Sequence, residues 1–512
     1  MTNHYHTIVI GAGHNGLVAA AYLAKQGKKV LVLERRGIVG GSVVTESFGD
    51  GFTVDSVYTG GTLRPDIIND LKLPLQKVDQ KPAFISLTSH AAPSLHSGVL
   101  RESVTYGDHL VIDADPVKAA ESIKRFSEKD SARWPDFVRF MNKAAHILDI
   151  AYSTIMPRLP KEMSFSEGYG LLELGLDLRL AGRKDMLNFI RALPMSVQEL
   201  VEEYFESEVV RTAVASLGIH GVTMGPMGAG TGYVLIHNWL NRGGLAHVNV
   251  GRAGEITQAL ANAVRAYGGE IRCEAEVAYI QIDTYTCKGV VLANGEEIFA
   301  DQVLSAVDPK RTFLSLVGPA NLPPEFVWKV QSIKMRGSAA KVHLLTEGNH
   351  GIPEGTVVLA PSIKYLEKAY DAAKYGEISE WPYLEVTTSG NIVSVHFQFA
   401  PYWLKNREWT VERKRVEKLA IDTLTEYFPN LQSLISNSHV ITPLDLEQNY
   451  ALTEGDLNHG QLMLDQFLFM RPIPGWSNHK TPIDNLYLCG SGVHGGGGVS
   501  GAAGRNVLKV LR

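Results

Sequence analysis

Near the start of the chain Ile8, Val9 and Ile10 form an unbroken apolar run, the pattern of a strand buried on both faces. Small and helix-favouring residues follow from Gly16 to Lys25, Gly27 stops them, and Lys29 to Leu33 returns as a second apolar run ending in Glu34. A strand, a helix and a second strand are predicted. Farther on, Asp66 to Leu73 reads as a short helix, and the stretch from Pro74 through Val111 is rich in loops and strand-like segments. Apolar residues at three- and four-residue spacing then predict amphipathic helices over Pro116 to Phe126, Trp134 to Ile150, Leu171 to Leu193 and Ser196 to Leu217, with Pro157, Pro160 and Pro194 between them.

After the glycine-rich stretch Val222 to Gly232, which reads as a loop passing close to a neighbouring element or ligand, Gly254 to Tyr267 is predicted helical. Short strands are expected over Glu270 to Cys273, Val277 to Ile282, Gly289 to Leu292 and Glu297 to Ala300, with a hairpin turn at Asn294-Gly295 and a further strand over Asp301 to Val307. A second sheet is predicted from Ala339 to Leu345, Thr356 to Leu359, Tyr383 to Thr388 and Ile392 to Phe399, and a helix from Val411 to Phe428. From Pro309 to Asn437 no ligand-like cluster stands out. Leu486 to Cys489 is a last strand, and a final helix is expected from near Val499 or Ser500 to Leu511. The fold class is α/β: a discontinuous Rossmann-like domain over 1–80, 248–307 and 482–512, and a substrate domain with a mixed sheet and helices over 81–247 and 308–481.

The first unit carries chemistry. Gly11 suits a tight turn, Gly13 lets backbone approach a pyrophosphate, and Gly16 allows close packing of helix on strand. Glu34, 23 residues after Gly11, stands where a carboxylate accepts hydrogen bonds from an adenosine ribose. The unit alone leaves FAD and NAD undivided. Arg35, Arg36, Gly40, Gly41 and Ser42 favour FAD, because they resemble the doublet that follows the ribose acid in a large flavoprotein group. At the other end, Gly495 to Gly498 are four consecutive glycines, expected where backbone passes close to something large and flat rather than as a packing device.

Composition narrows the rest. At 512 residues and 45% hydrophobic the chain can bury a large core. A net charge of −5 argues against nucleic acid as the main partner. The three cysteines, Cys273, Cys287 and Cys489, include no close pair, so neither a local redox disulfide nor a structural metal site is expected. The first strand begins within about seven residues, leaving no room for a cleavable leader, and no apolar run is long enough to span a membrane. A cytoplasmic protein is expected, with peripheral membrane contact left open.

The stretches GAGHNGLVAAAYLA, SAVDP, HGQLMLDQFLFMRP and NLYLCGSGVHGGGGVSGAAGRN together resemble the phytoene-desaturase-like FAD-dependent oxidoreductases, in particular the carotenoid ketolase type and the pyridine nucleotide-disulfide oxidoreductase domain-containing branch. The resemblance implies FAD as cofactor and oxidation of a lipophilic substrate, isoprenoid, carotenoid-like or acyl, with quinone or dioxygen as electron acceptor. It places Gly11, Gly13, Gly16, Glu34, Arg35, Gly41 and Ser42 at the cofactor, Val277 at the adenine, Gly490 at the phosphate and Val499 at the flavin ring. The sequence departs from the pattern twice: His494-Gly495-Gly496 replaces His-Pro-Gly, and Ser491 stands where many relatives carry an acid. No second complete fingerprint supports a stably bound NAD(P). His459 and His494, each flanked by glycine, are the acid/base candidates, against a rival role in ordering the loop over the flavin. The alternative to an enzyme is an interaction or regulatory protein folded around FAD without turnover.

Overall fold

The computed structural model describes residues 4–49, 51–58, 61–75, 83–87, 109–157, 165–180, 182–246 and 251–511. The expected domain limits at 80, 248 and 512, and much of the stretch from Pro74 to Val111, lie outside the described residues.

Two seven-stranded sheets organise the chain. In the first, His4–Ile10 lies between Val30–Leu33 and Glu297–Ser305, with Glu270–Arg272 beyond the former and Leu486–Leu488 beside the latter, all parallel. Strands Thr286–Leu292 and Val277–Asp283 extend it as an antiparallel meander. The two strands expected over 297–307 are one: Glu297–Ser305 pairs antiparallel through Glu297–Phe299 and parallel along the rest of its length. One face buries Val9, Val32 and Leu304 against helices His14–Lys25 and Ala253–Ala266; the other buries Ile8, Leu31 and Val303 against Phe313 and Phe326. Burial on both faces explains the unbroken apolar runs.

The second sheet has the order Ile435–Ile441, Ala339–Thr346, Ile392–Gln398, Tyr383–Ser389, Thr356–Leu359, Phe84–Leu87, Leu110–Ile112. Here the strands alternate. Val342, Leu344, Val393, Val395, Phe397, Leu384 and Val386 pack on Val416, Ala420 and Leu424 of helix Trp409–Tyr427. The register places Lys341 beside His396, His396 beside Glu385 and His343 beside Ser394 on the opposite face. That face is buried as well, and it is polar.

Helices fill the middle of the chain. Leu171 to Leu193, expected as one, is two helices, Phe165–Leu180 and Arg183–Ala192, because Gly182 takes φ +99° between them. Ser196 to Leu217 is likewise divided into Val197–Tyr204 and Glu208–Leu217, since the buried Asp130 carboxylate accepts from the Glu206 and Ser207 backbone N–H groups at 2.8 Å and turns the chain there. Helix Thr231–Arg242 follows the glycine-rich loop unannounced. The expected final helix is shorter than read, covering Ala502–Asn506, with Gly501 at φ +77° blocking an earlier start.

The fingerprint glycines separate sharply by what surrounds them. A Cβ on Gly16 would lie 2.3 Å from the Gly11 carbonyl oxygen and 2.9 Å from the Ala306 Cβ, whereas one on Gly13 would meet nothing within 4 Å. Gly16→Ala is therefore expected to lower the unfolding free energy by about 1–3 kcal/mol, and Gly13→Ala by about 0.5 kcal/mol or less. Urea denaturation of both variants checks the contrast, and equal losses would contradict it.

Candidate cofactor cleft and adjoining cavity

A cleft of about 280 Å³ runs over the C-terminal end of the first sheet. Its floor is the turn after strand His4–Ile10, where Gly11 has φ +94° and Gly13 leaves its side of the cleft open. Gly40 donates to the Ala12 carbonyl at 2.9 Å, which brings Gly41 over Gly13, with Ser42 beside them. Glu34 is buried at one end. Its Oε2 accepts from the Ala12 N–H at 2.9 Å and its Oε1 from the Arg36 N–H at 3.0 Å, so the carboxylate is fixed by backbone before any ligand arrives. Ala275, Glu276 and Val277 face it, and Arg35, which donates to the Gln448 carbonyl at 2.6 Å, lines the same end.

The other end is built from Tyr58, Leu457, His459, Ser491 and His14, the last absent from the sequence expectations although it sits inside the fingerprint. Burial pushes the His14 imidazole down to about 4, so it is neutral at physiological pH. Ser491 accepts from Asn15 Nδ2 at 3.0 Å, and Asn15 Oδ1 accepts from the Gly504 N–H at 3.3 Å. Asn15 thus ties the first helix to the C-terminal segment through Ser491, the residue that stands where many relatives carry an acid. His459, at φ +56°, lines the cleft with Nδ1 unpartnered; burial lowers its pKa against the opposing pull of Asp308 and Asp456.

Of the sequence-named cofactor residues, Gly11, Gly13, Gly16, Glu34, Arg35, Gly41, Ser42 and Val277 meet in this cleft. Gly490 and Val499 do not line it. Gly490 is a close-packing position, its missing Cβ lying 2.5 Å from the Ala306 carbonyl oxygen, and Val499 lines a second cavity. His494 lines neither: it is buried, its Nε2 bonds the Ala151 carbonyl at 2.9 Å, and burial holds it at about 4. The glycine run is itself a packing device, contrary to expectation. A Cβ on Gly497 would come 2.9 Å from the His237 ring and one on Gly498 2.9 Å from the Asn241 side chain, so the run presses against helix Thr231–Arg242.

Arg471 holds this end together. Fully buried, it donates to the carbonyls of Asn458 (2.6 Å), Gly460 (3.0 Å) and Ser491 (2.9 Å).

The second cavity, about 60 Å³, adjoins the cleft, with Tyr58 and Leu457 lining both. Val57, Val499 and Gly61 lie on its walls together with His237, Asn238, Asn241 and Arg242 of helix Thr231–Arg242 and the polar face of the second sheet. The sheet contributes the ligand-like cluster that the sequence between Pro309 and Asn437 did not reveal. Arg242 grips Glu385 bidentately at 2.9 and 3.0 Å, both side chains almost wholly buried, and His220 Nδ1 lies 3.5 Å from the same carboxylate. The His220 and His396 rings are 4.5 Å apart; His396 bonds Gln398 Oε1 at 2.7 Å, and burial takes its pKa to about 3. His237, also near 3 through burial, bonds the Tyr152 hydroxyl at 2.7 Å, and Tyr152 bonds Tyr233 at 2.8 Å. Burial, partly opposed by Glu385, lowers Lys341 to about 8.

The cleft fits an extended dinucleotide, with an open backbone floor for phosphates and an oriented carboxylate for a ribose. Comparison with known proteins agrees. Residues 16–504 match the family model described as flavin containing amine oxidoreductase. Pyridine nucleotide-disulfide oxidoreductase domain-containing protein 2 of Rattus norvegicus is 30% identical, with 99% of this chain and 93% of that protein aligned. The lycopene-forming phytoene desaturase of Pantoea ananas is 25% identical over 97% and 96%. Among solved structures, an oxidoreductase from Methanosarcina mazei superposes with TM-score 0.59 at 16% identity, covering 98% of this chain and 99% of that one. Cyclohexylamine oxidase from Brevibacterium oxydans gives 0.54 at 17%, covering 99% and 100%. On this footing the chain belongs to the flavin-containing amine oxidoreductase family, as an FAD oxidoreductase of α/β fold.

Proposed function

We propose that this protein oxidises an organic substrate seated in the second cavity, beside an FAD held in the first cleft. The observation that carries the reading is that the two spaces adjoin, with Tyr58 and Leu457 lining both. It favours turnover over a flavin-stabilised interaction protein, which has no use for a polar cavity abutting its cofactor. In this reading the FAD-binding domain comprises 1–80, 248–307 and 482–512, the segments that supply the first sheet, and the remainder is the substrate domain.

FAD supplies, when bound, an acceptor for a hydride and its two electrons. Gly11, Gly13, Gly41 and Ser42 form the pyrophosphate floor, while Glu34, Arg35 and Val277 frame the adenosine. Gly16 and Gly490 act indirectly by letting helix and strand close beneath it. Val499 stands on the substrate side. The chain's own contribution to the reaction is placement and exclusion of water, with His459 as the acid/base candidate facing the cleft and His494 ordering the glycine run through Ala151.

The likeness to phytoene desaturases supports a lipophilic substrate, but the buried polar sheet face suits an acyl compound with a polar end better than an isoprenoid or carotenoid hydrocarbon. Quinone or dioxygen remains the proposed electron acceptor. Peripheral membrane contact draws support from the exposed Leu172, Leu176 and Leu180 on one helix face and from Leu187 and Ile190 on the next helix.

Three outcomes are expected. Glu34→Ala weakens FAD retention by about tenfold or more, measured as flavin released on dilution; unchanged retention would remove Glu34 from the site. His459→Gln slows flavin reduction by roughly a hundredfold with FAD retained, while His494→Gln chiefly lowers thermal stability and flavin content; stopped-flow traces and flavin spectra separate the two, and an unaffected His459→Gln rate rejects its assignment. Changing Leu172 and Leu176 together to Glu abolishes co-sedimentation with phosphatidylglycerol vesicles, and sedimentation that is equal in both proteins, or absent from both, rules out this face as a membrane contact.

A further inference from the structure

Lys341 brings to the second cavity a cation that, among the described residues, forms no direct pair. It is only 8% exposed and lines the cavity, yet among the described residues its ammonium has no hydrogen bond or ion pair. Glu385, the carboxylate nearest in register, gives both oxygens to Arg242. The cavity walls carry two cationic side chains, Arg242 and Lys341, and one carboxylate, Glu385, which His220 also approaches at 3.5 Å, while burial holds His237 and His396 neutral. A buried ammonium left in this condition is unfavourable by its lost hydration, and the depression of Lys341 to about 8 reflects that penalty.

We propose that the substrate carries a carboxylate, which Lys341 binds at the sheet end of the second cavity. The inference rests on reading that cavity as the substrate site of an FAD oxidoreductase. An incoming anion supplies the missing partner, and in a water-poor space the charge-assisted bond is strong. A protonated amine meets the opposite situation: it must approach an uncompensated ammonium, and the carboxylate that would receive it is already forked onto Arg242. A bare hydrocarbon offers the Lys341 ammonium no partner at all. The walls also orient the ligand. Tyr58 and Leu457 border the cofactor cleft, whereas Lys341 stands on the sheet, so the acid end points away from the cofactor and the carbon chain toward it.

The test uses FAD-loaded protein and three probes of one chain length, hexanoate, hexanamide and hexylamine, titrated by calorimetry. Hexanoate is expected to bind about tenfold or more tighter than hexanamide, and hexylamine more weakly than both. Lys341→Met brings hexanoate to within about twofold of hexanamide, while Lys341→Arg keeps the preference. Equal affinity of acid and amide, tightest binding of the amine, no heat with any probe, or an acid preference that survives in Lys341→Met overturns the proposal. Because the preference is read first in the unaltered protein, poor folding of Lys341→Met does not remove the test. A protein that takes up no FAD refutes the oxidoreductase reading itself; one that takes up FAD but shows no acid preference refutes this inference alone.

Discussion

The architecture at the junction of cleft and cavity depends on one buried cation. Among the described residues Arg471 forms no ion pair with a carboxylate; three backbone carbonyls, from Asn458, Gly460 and Ser491, share its charge. Burial lowers its pKa, but a guanidinium remains protonated under such pressure where an ammonium would yield. The planar fork matters as much as the charge. It fixes the direction of two chain segments that meet from different parts of the sequence, the turn carrying Leu457 and His459 and the loop carrying Ser491 and the glycine run. Without it, three carbonyls lose their donor inside a dry region, and the wall common to both spaces loses its reference point.

The cleft that we propose for FAD was legible in the sequence as a gathering of residues because its determinants are local. Gly11, Gly13, Gly16 and Glu34 belong to one strand-helix-strand unit, so spacing alone encodes their arrangement, and they meet as the spacing implies. The second cavity was not legible. Its polar residues occur singly, Lys341, Glu385 and His396 on three strands and His237 and Arg242 on a helix, and only cross-strand register assembles them. A signal did exist. Each strand alternates Val or Leu with a polar residue, which ordinarily means one face in water; what the alternation could not reveal is that this polar face is covered. The helix Thr231–Arg242 was hidden by the glycines ahead of it, although Tyr233, Ile236, Trp239 and Leu240 follow helical spacing.

The glycine run teaches a related lesson. Its composition suggested closeness to a flat ligand, but at Gly497 and Gly498 the close neighbours are His237 and Asn241. Glycine content reports that something is near; it does not report what. His494 shows the same limit for histidine, since a buried imidazole bonded to a carbonyl and one facing a cleft look alike in sequence.

The strand Glu297–Ser305 has a consequence for how the molecule is made. It takes His4–Ile10 on one edge and Leu486–Leu488 on the other, while the whole second sheet is encoded between those partners. During synthesis the first edge can form once residue 305 has emerged, but on the other edge Val303 to Ser305 wait for Leu486–Leu488. The half-built sheet therefore leaves the ribosome with an open edge, a surface prone to strand exchange until the last segment docks. Completion of the first sheet is thereby a late event, since Glu297–Ser305 must gather both His4–Ile10 and Leu486–Leu488 before the cleft above it takes shape.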